Sequence, residues 1–177
     1  MHYSLKNGAS VIIRKPTAKD AQDIISIIST ADTETMFLAR NPGEFCTTVE
    51  REGAIIEGVL NDADSTWFVA EYESRLVGQC SVGLVRRYQR YRHRAEVAFV
   101  ILNDYQSLGI GGRMMEECIK WCREKNVTQL ELDVVTTNQK ALSMYQGFGF
   151  EVTGTMLNAL RYADGTYADE YRMIKRL

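Results

Sequence analysis

Asn103-Asp104-Tyr105-Gln106-Ser107-Leu108-Gly109-Ile110-Gly111-Gly112-Arg113-Met114-Met115-Glu116-Glu117-Cys118-Ile119-Lys120-Trp121 decides how the rest of the chain reads. It follows an apolar run, Val97-Ala98-Phe99-Val100-Ile101-Leu102, that reads as a buried strand. It then turns through Gln106–Gly112 into a helix whose apolar residues Ile110, Met114, Met115, Cys118, Ile119 and Cys122 recur at three-and-four spacing. Arg113, Glu116, Glu117, Lys120, Arg123 and Glu124 take the outer face, with Glu116 four residues before Lys120. Strand, glycine turn and helix together aim several backbone N–H groups at one point, where the helix dipole adds partial positive charge. Such a site suits phosphate. Gly109, Gly111 and Gly112 would let it approach the main chain with no Cβ in the way.

Spacing narrows the phosphate ligand. A nucleoside-triphosphate loop ends in Gly-Lys-Ser/Thr, which the chain lacks, and the dinucleotide fingerprint needs glycine where Met114 stands. What remains is Gln-x-x-Gly-x-Gly, at Gln106, Gly109 and Gly111. Taken alone, it competes with a plain strand-to-helix turn that binds nothing.

The chain has 177 residues, 45% of them apolar, enough to bury one core, so residues 1–177 are expected to form a single domain. A net charge of −2 gives no support to nucleic-acid binding. Of the four cysteines, Cys118 and Cys122 share a helix face with no histidine nearby, and they read as buried reduced thiols with no metal. The opening residues lack the pattern of a signal peptide and no apolar run reaches the length of a membrane span, so a cytoplasmic location is expected, away from any membrane.

Residues 3–6 and 10–15 are expected to pair as a hairpin across Asn7-Gly8. Thr17 opens a helix with a capping-box acid at Asp20, and a second helix runs from Thr47 to Leu60 on Val49, Ile55, Ile56, Val59 and Leu60. Strands follow at 66–72, 76–85, 96–102 and 129–135, then a helix from Asn138 and two strands around Asp164-Gly165. The order is β-α-α-β-β-β-α-β-α-β-β, with parallel strands about the central helix.

The second motif changes the balance. Asn138-Gln139-Lys140-Ala141-Leu142-Ser143-Met144-Tyr145-Gln146-Gly147-Phe148-Gly149-Phe150 places an Asn cap, then Ala141 and Tyr145 four apart on one face, and a glycine at the helix exit. With the glycine turn one strand upstream, it resembles the GNAT superfamily of acyl-CoA-dependent N-acetyltransferases, nearest in character to the polyamine and ribosomal-protein members. Every defining position of Asn-x-x-Ala-x-x-x-Tyr-x-x-x-Gly-Phe matches. The departure is Ser107-Leu108, where the family usually has glycine and a basic residue.

The resemblance implies an α/β fold (α+β by some schemes). Its mixed central sheet has six to seven strands, splayed between two parallel ones and flanked by about four helices. It implies acetyl-CoA as co-substrate, no metal, and direct transfer of acetyl to a primary amine: a small amine, an amino acid or a protein N-terminus. A homodimer is a compatible assembly. The coenzyme's pyrophosphate falls to Gln106, Ser107, Leu108, Gly109, Ile110, Gly111, Gly112 and Arg113. Its pantetheine arm falls to the main chain of Phe99, Val100 and Ile101, and to Asn138 and Tyr145. Tyr145 is assigned as the acid that protonates the leaving thiolate, and Glu96, the one carboxylate in the strand leading to the turn, as the base. The rival for Glu96 is an ion pair with a neighbouring arginine. The rival for the whole is an acyl-CoA-binding module without turnover on the same scaffold.

Three stretches stay open. The arginine-rich run Arg86–Arg94 reads as a solvated loop, with a basic rim or a grip on coenzyme phosphates as the functional alternative; His93 is a weaker base candidate than Glu96. Asp169 and Glu170 on the last strand read as exposed strand acids, with contact to an amine as the functional alternative. The loop from Thr33 to Phe45 holds no recognisable acceptor code.

Overall fold

The computed structural model describes residues 1–5 and 7–177; Lys6, the end of the first expected hairpin strand, lies outside the described residues. Eight strands form one sheet in the order β1-β2-β3-β4-β5-β6-β8-β7. These are β1 His2–Ser4, β2 Ser10–Arg14, β3 Ser65–Tyr72, β4 Arg75–Leu84, β5 Arg94–Ile101, β6 Gln129–Val135, β7 Glu151–Arg161 and β8 Tyr167–Arg176. The helices are α1 Ala21–Glu34, α2 Val49–Asn61, α3 Ile110–Glu124 and α4 Gln139–Gly147. The splayed mixed sheet with four helices is as expected. Its strand count rises to eight because the short β1 adds an edge, pairing His2 with Ile12.

The helices divide between the two faces. On one, Ile110, Met114, Met115 and Cys118 of α3 pack with Leu142 and Tyr145 of α4 against Phe68, Ala70, Val97 and Leu132. On the other, Ile24, Ile27 and Ile28 of α1 and Ile56 of α2 cover Val69, Leu76 and Val100. Alternation along β3 sends Phe68 and Val69 to opposite layers. Full burial of such a side chain stabilises by roughly 1.5–3 kcal/mol.

Three local expectations change. Val49 and Ile55 of α2 face solvent, and its buried stripe is Glu52, Gly53 and Ile56. Glu117 is buried on α3, not outward, because the Tyr3 hydroxyl from β1 donates to its carboxylate. Glu116 pairs with Arg113 at 2.9 Å in place of Lys120.

The feature that makes a site is the β5–β6 junction. These parallel strands pair only at Arg94↔Gln129, Ala95↔Leu130 and Glu96↔Glu131. Beyond Glu96 they part, β5 staying on β4 as far as Gly78↔Ile101 and β6 on β8 as far as Val135↔Glu170. The expected buried strand is therefore half-open: Ala98 is exposed and Phe99–Ile101 are partly so.

Candidate active site

The parted strands open a cleft of about 1410 Å³. Its walls bring together Glu96, Phe99, Val100, Ile101, Gln106, Ser107, Leu108, Gly109, Gly111, Gly112, Arg113, Asn138 and Tyr145. Ile110 does not join them; its side chain is buried in the core, leaving only its main chain near the turn.

Gly109 is the N-cap of α3 at φ 98°, ψ 0°, a left-handed geometry that glycine adopts without strain. No side chain caps this helix, so its first-turn N–H groups face the cleft without a protein partner among the described residues. Gly111 has a different reason: a Cβ there would lie 2.9 Å from Met144 Sδ and 3.2 Å from Ile101 Cδ1. Gly112 has room, with Phe148 at an ordinary 3.7 Å. The three glycines thus serve conformation, packing and open space in turn, not one shared role.

Gln106 holds the turn to the strand. Its Nε2 donates to the Ile101 carbonyl at 3.1 Å and to Asn103 Oδ1 at 2.9 Å. One acceptor position of Ile101 is therefore already engaged. Arg113 lines the cleft while its guanidinium pairs with Glu116 and lies 5.2 Å over the Tyr3 ring. Lys140 on α4, not singled out from sequence, reaches Gln106 Oε1 at 3.4 Å and restores positive charge beside Ser107-Leu108. Its signal was its place two residues after the Asn138 cap.

Asn138 Oδ1 accepts the Ala141 N–H at 3.2 Å, capping α4 and fixing where Tyr145 emerges. The Tyr145 ring packs 6.3 Å from Phe99 and 5.8 Å from Phe150, and its hydroxyl makes no hydrogen bond to any described residue. Burial, reinforced by the Cys80 and Cys118 thiols behind it, pushes the phenol pKa up, so it stays protonated. Cys80 and Cys118 lie 3.5 Å apart, fully buried, and neither lines the cleft.

Glu96 stands at the apex, half-exposed, with Arg172 Nη1 3.3 Å from its Oε1. The same Arg172 nitrogen lies 3.3 Å from Glu131 Oε2, and Arg172 Nε lies 2.8 Å from Asp133 Oδ1. Glu131 is fully buried and held in two-pronged fashion by Arg94. Burial works against its charge, but the Arg94 and Gln129 hydrogen bonds prevail and hold its pKa below the usual carboxylate value. Arg172 and Asp133 were not anticipated, because the register that joins β5, β6 and β8 is a non-local fact.

Apart from Arg94, which holds Glu131, the arginine run lies elsewhere. Arg87 pairs with Asp62 at 2.8 Å, Arg92 with Asp64 at 2.8 Å, and Arg86 lies over Tyr91. None of residues 86–94 lines the cleft, so this run makes neither a basic rim nor a coenzyme grip. His93 is likewise exposed and off the site. Asp169 Oδ1 accepts the Asn158 N–H at 2.8 Å within the hairpin, whereas Glu170 faces the cleft. Phe37, Leu38 and Ala39 of the open loop close the α1 side. No helix among the described residues is long and apolar enough to cross a membrane.

Fold and site together define an acyl-coenzyme A transferase scaffold, and comparison with known proteins agrees. The model of the acetyltransferase (GNAT) family matches residues 28–150, and the chain belongs to that family. It is similar to L-amino acid N-acetyltransferase AaaT of Escherichia coli, 29% identical over 60% of this chain and 65% of that protein, so it matches a little under two thirds of this relative's length. A GNAT-family acetyltransferase from Streptococcus pneumoniae superimposes with a TM-score of 0.88 at 25% identity, covering 94% of this chain and 99% of that one. YncA, a putative acetyltransferase from Salmonella typhimurium with its cofactor acetyl-CoA, superimposes at 0.82 and 20% identity, with 94% of both chains covered.

Proposed function

We propose that the protein is an acetyl-CoA-dependent N-acetyltransferase acting on a primary amine by direct transfer. The carrying observation is the parting of β5 and β6 after Glu96, beside the uncapped N-terminus of α3 and with the free Tyr145 hydroxyl on the wall. Unpaired main-chain groups in such a gap call for a partner, and an extended amide-bearing arm along Phe99–Ile101 supplies one. First-turn N–H groups after Gly109, with Arg113 and Lys140 nearby, suit a pyrophosphate. The residues present therefore fit the coenzyme.

Bound acetyl-CoA supplies the acetyl group as a thioester. Glu96 takes the proton the amine must shed before its lone pair can form the C–N bond. A main-chain N–H between Phe99 and Ile101 stabilises charge on the carbonyl oxygen, a donor typically worth ~10²–10³ in rate. Tyr145 gives its hydroxyl proton to sulfur as the C–S bond breaks. Among the described residues no cysteine lines the cleft, which favours direct transfer over an acyl-enzyme.

Residues 1–177 work as one N-acetyltransferase domain in this reading, supported by a single continuous sheet. The likeness to the E. coli amino-acid enzyme keeps amino acids beside small amines and protein N-termini as acceptors. A cytoplasmic place and a homodimer complete the proposal. The experiment is a thiol-release assay with acetyl-CoA against a panel of amines, amino acids and peptides: acceptor-dependent release supports the reading, and silence across the panel refutes it.

A further inference from the structure

The α1–α2 side of the cleft beyond the apex is crossed by β5, β6 and β8, whose registered positions Glu96↔Glu131, Asp133↔Arg172 and Val135↔Glu170 share one face. Four carboxylates stand there against two arginines. Glu131 is taken by Arg94 and Arg172, and Glu96 and Asp133 by Arg172. Glu170 is left over. It is half-buried, it lines the cleft, and among the described residues its side chain has neither a hydrogen bond nor an ion pair.

A half-buried carboxylate without a partner costs stability, and the surroundings deepen that cost. Burial and then the Asp133 carboxylate raise the Glu170 pKa, with Arg172 opposing only in part. From β7 the residue opposite is Met156, which supplies no charge. Every other acid on this floor has its cation within the protein; this one has its cation still to come, at the place an acceptor amine must cross to reach the apex.

Resting on the acetyl-transfer reading above, we propose that Glu170 is the anchor for the acceptor's ammonium group and that it makes the enzyme select amines with no carboxylate on the adjacent carbon. With four acids against two arginines, this floor keeps two negative charges in excess. An ammonium alone is drawn to it. A free α-amino acid brings its own carboxylate within a few ångströms of Glu170 and Asp133, where like charges repel. A peptide N-terminus and an alkyl diamine share the favoured chemistry, since both present an ammonium without that neighbour.

The test compares acetylation of matched acceptors: an L-amino acid, its carboxamide, a dipeptide amide and a linear diamine. The carboxamide should exceed the free acid by about tenfold or more in kcat/KM, the worth of one charge-assisted contact. The dipeptide amide and the diamine separate the two sources of such an amine. In Glu170→Gln the acceptor KM should rise about tenfold with the acetyl-CoA KM unchanged and the unfolding midpoint equal or higher, since an unpartnered charge is removed, and the acid–amide preference should shrink toward parity. Calorimetric titration of the dipeptide amide into protein saturated with free coenzyme A should weaken to match. Free amino acids used as well as their amides, or a Glu170→Gln enzyme with unaltered acceptor KM and affinity, would overturn the anchor while leaving the transferase reading intact. Acetylation of none of them by the unaltered protein would overturn the transferase reading, and the anchor with it.

Discussion

Arg172 Nη1 lies 3.3 Å from Glu96 Oε1 at the apex where β5 leaves β6. The candidate base is therefore neither a free acid nor a buried one. Arg172 belongs to β8, so the last strand of the chain steadies a carboxylate contributed 76 residues earlier. The pair is more than a third exposed on both sides, which makes its own worth to stability small. Its consequence is geometric: Glu96 is turned toward the β6–β8 floor, where the proposal brings the amine.

Replacing Glu96 by Gln should lower kcat by roughly 10²–10⁴, the usual contribution of a general base. Acetyl-CoA affinity should stay within about twofold, because the phosphate turn lies at the other end of the cleft. The measurement is kcat/KM across pH; a near-normal profile would reduce Glu96 to the ion-pair partner of Arg172.

Tyr145→Phe keeps the ring contacts with Phe99 and Phe150 and removes only the hydroxyl. Its kcat should fall by about 10²-fold or more with acetyl-CoA affinity unchanged. Because burial raises this phenol's pKa, the protonated form persists through alkaline pH. In the unaltered enzyme, activity should therefore show no loss from tyrosine ionisation below about pH 10, the reference value. An alkaline limb near that value that vanishes in Tyr145→Phe would contradict the burial argument.

The three glycines of the turn should respond differently to alanine. Gly109→Ala forces a Cβ into left-handed backbone and should cost about 1 kcal/mol or more in urea unfolding. Gly111→Ala drives a Cβ against Met144 and Ile101 and should cost about 1–3 kcal/mol. Gly112→Ala meets only ordinary contact, so stability should hold within about 0.5 kcal/mol. Coenzyme affinity should nevertheless fall, because the new methyl would crowd the turn to which the proposal assigns the pyrophosphate; unchanged calorimetric affinity would move the phosphate elsewhere.

Acid should loosen the α1–α2 face of the sheet at two places. Asp20, gripped by Arg14 at 2.8 and 2.9 Å, has its pKa lowered to about 2, and Glu131 is lowered by its hydrogen bonds despite burial. A carboxylate lowered on folding stabilises above its unfolded pKa and loses that contribution as pH falls through the folded value. Stability should therefore decline from about pH 4 toward pH 2. Asp20→Asn should flatten that decline and cost about 2 kcal/mol at pH 7. Arg94→Met, which strips Glu131 of its main partner, should cost about 3 kcal/mol or more. Urea titrations at stepped pH measure all of these, and a pH-independent midpoint would refute the assignment.

Local periodicity made much of this legible. The α3 stripe from Ile110 to Cys122 is buried as its spacing requires, and Asp164-Gly165 closes the β7–β8 hairpin, with Gly165 at φ 87°. What escaped depended on partners remote in sequence. Glu117 reads as surface until Tyr3 arrives from 114 residues away. The inward stripe of α2 turns Gly53 toward Ala18, where an added Cβ would lie 3.6 Å away, a close approach that hydrophobicity does not register. Around the cleft, Gln106, Gly109, Asn138 and Tyr145 sit in short motifs and could be named, and Glu170 could be named from the last strand, whereas Asp133 and Arg172 join it only through strand register. The arginine run reads from sequence as a solvated loop and is one for most of its length, with Arg87 and Arg92 paired to Asp62 and Asp64, partners that composition does not reveal.

The central claim is that one cleft holds acetyl-CoA and hands its acetyl group to an amine beside Tyr145. The most direct measurement follows free thiol under saturating acetyl-CoA and a dipeptide amide, for the unaltered protein and Tyr145→Phe, with coenzyme affinity measured on both. The account predicts acceptor-dependent thiol release that falls by about 10²-fold in the variant at equal coenzyme affinity. Equal rates in the two proteins, or tight coenzyme binding with no acceptor-dependent release from either, would contradict it.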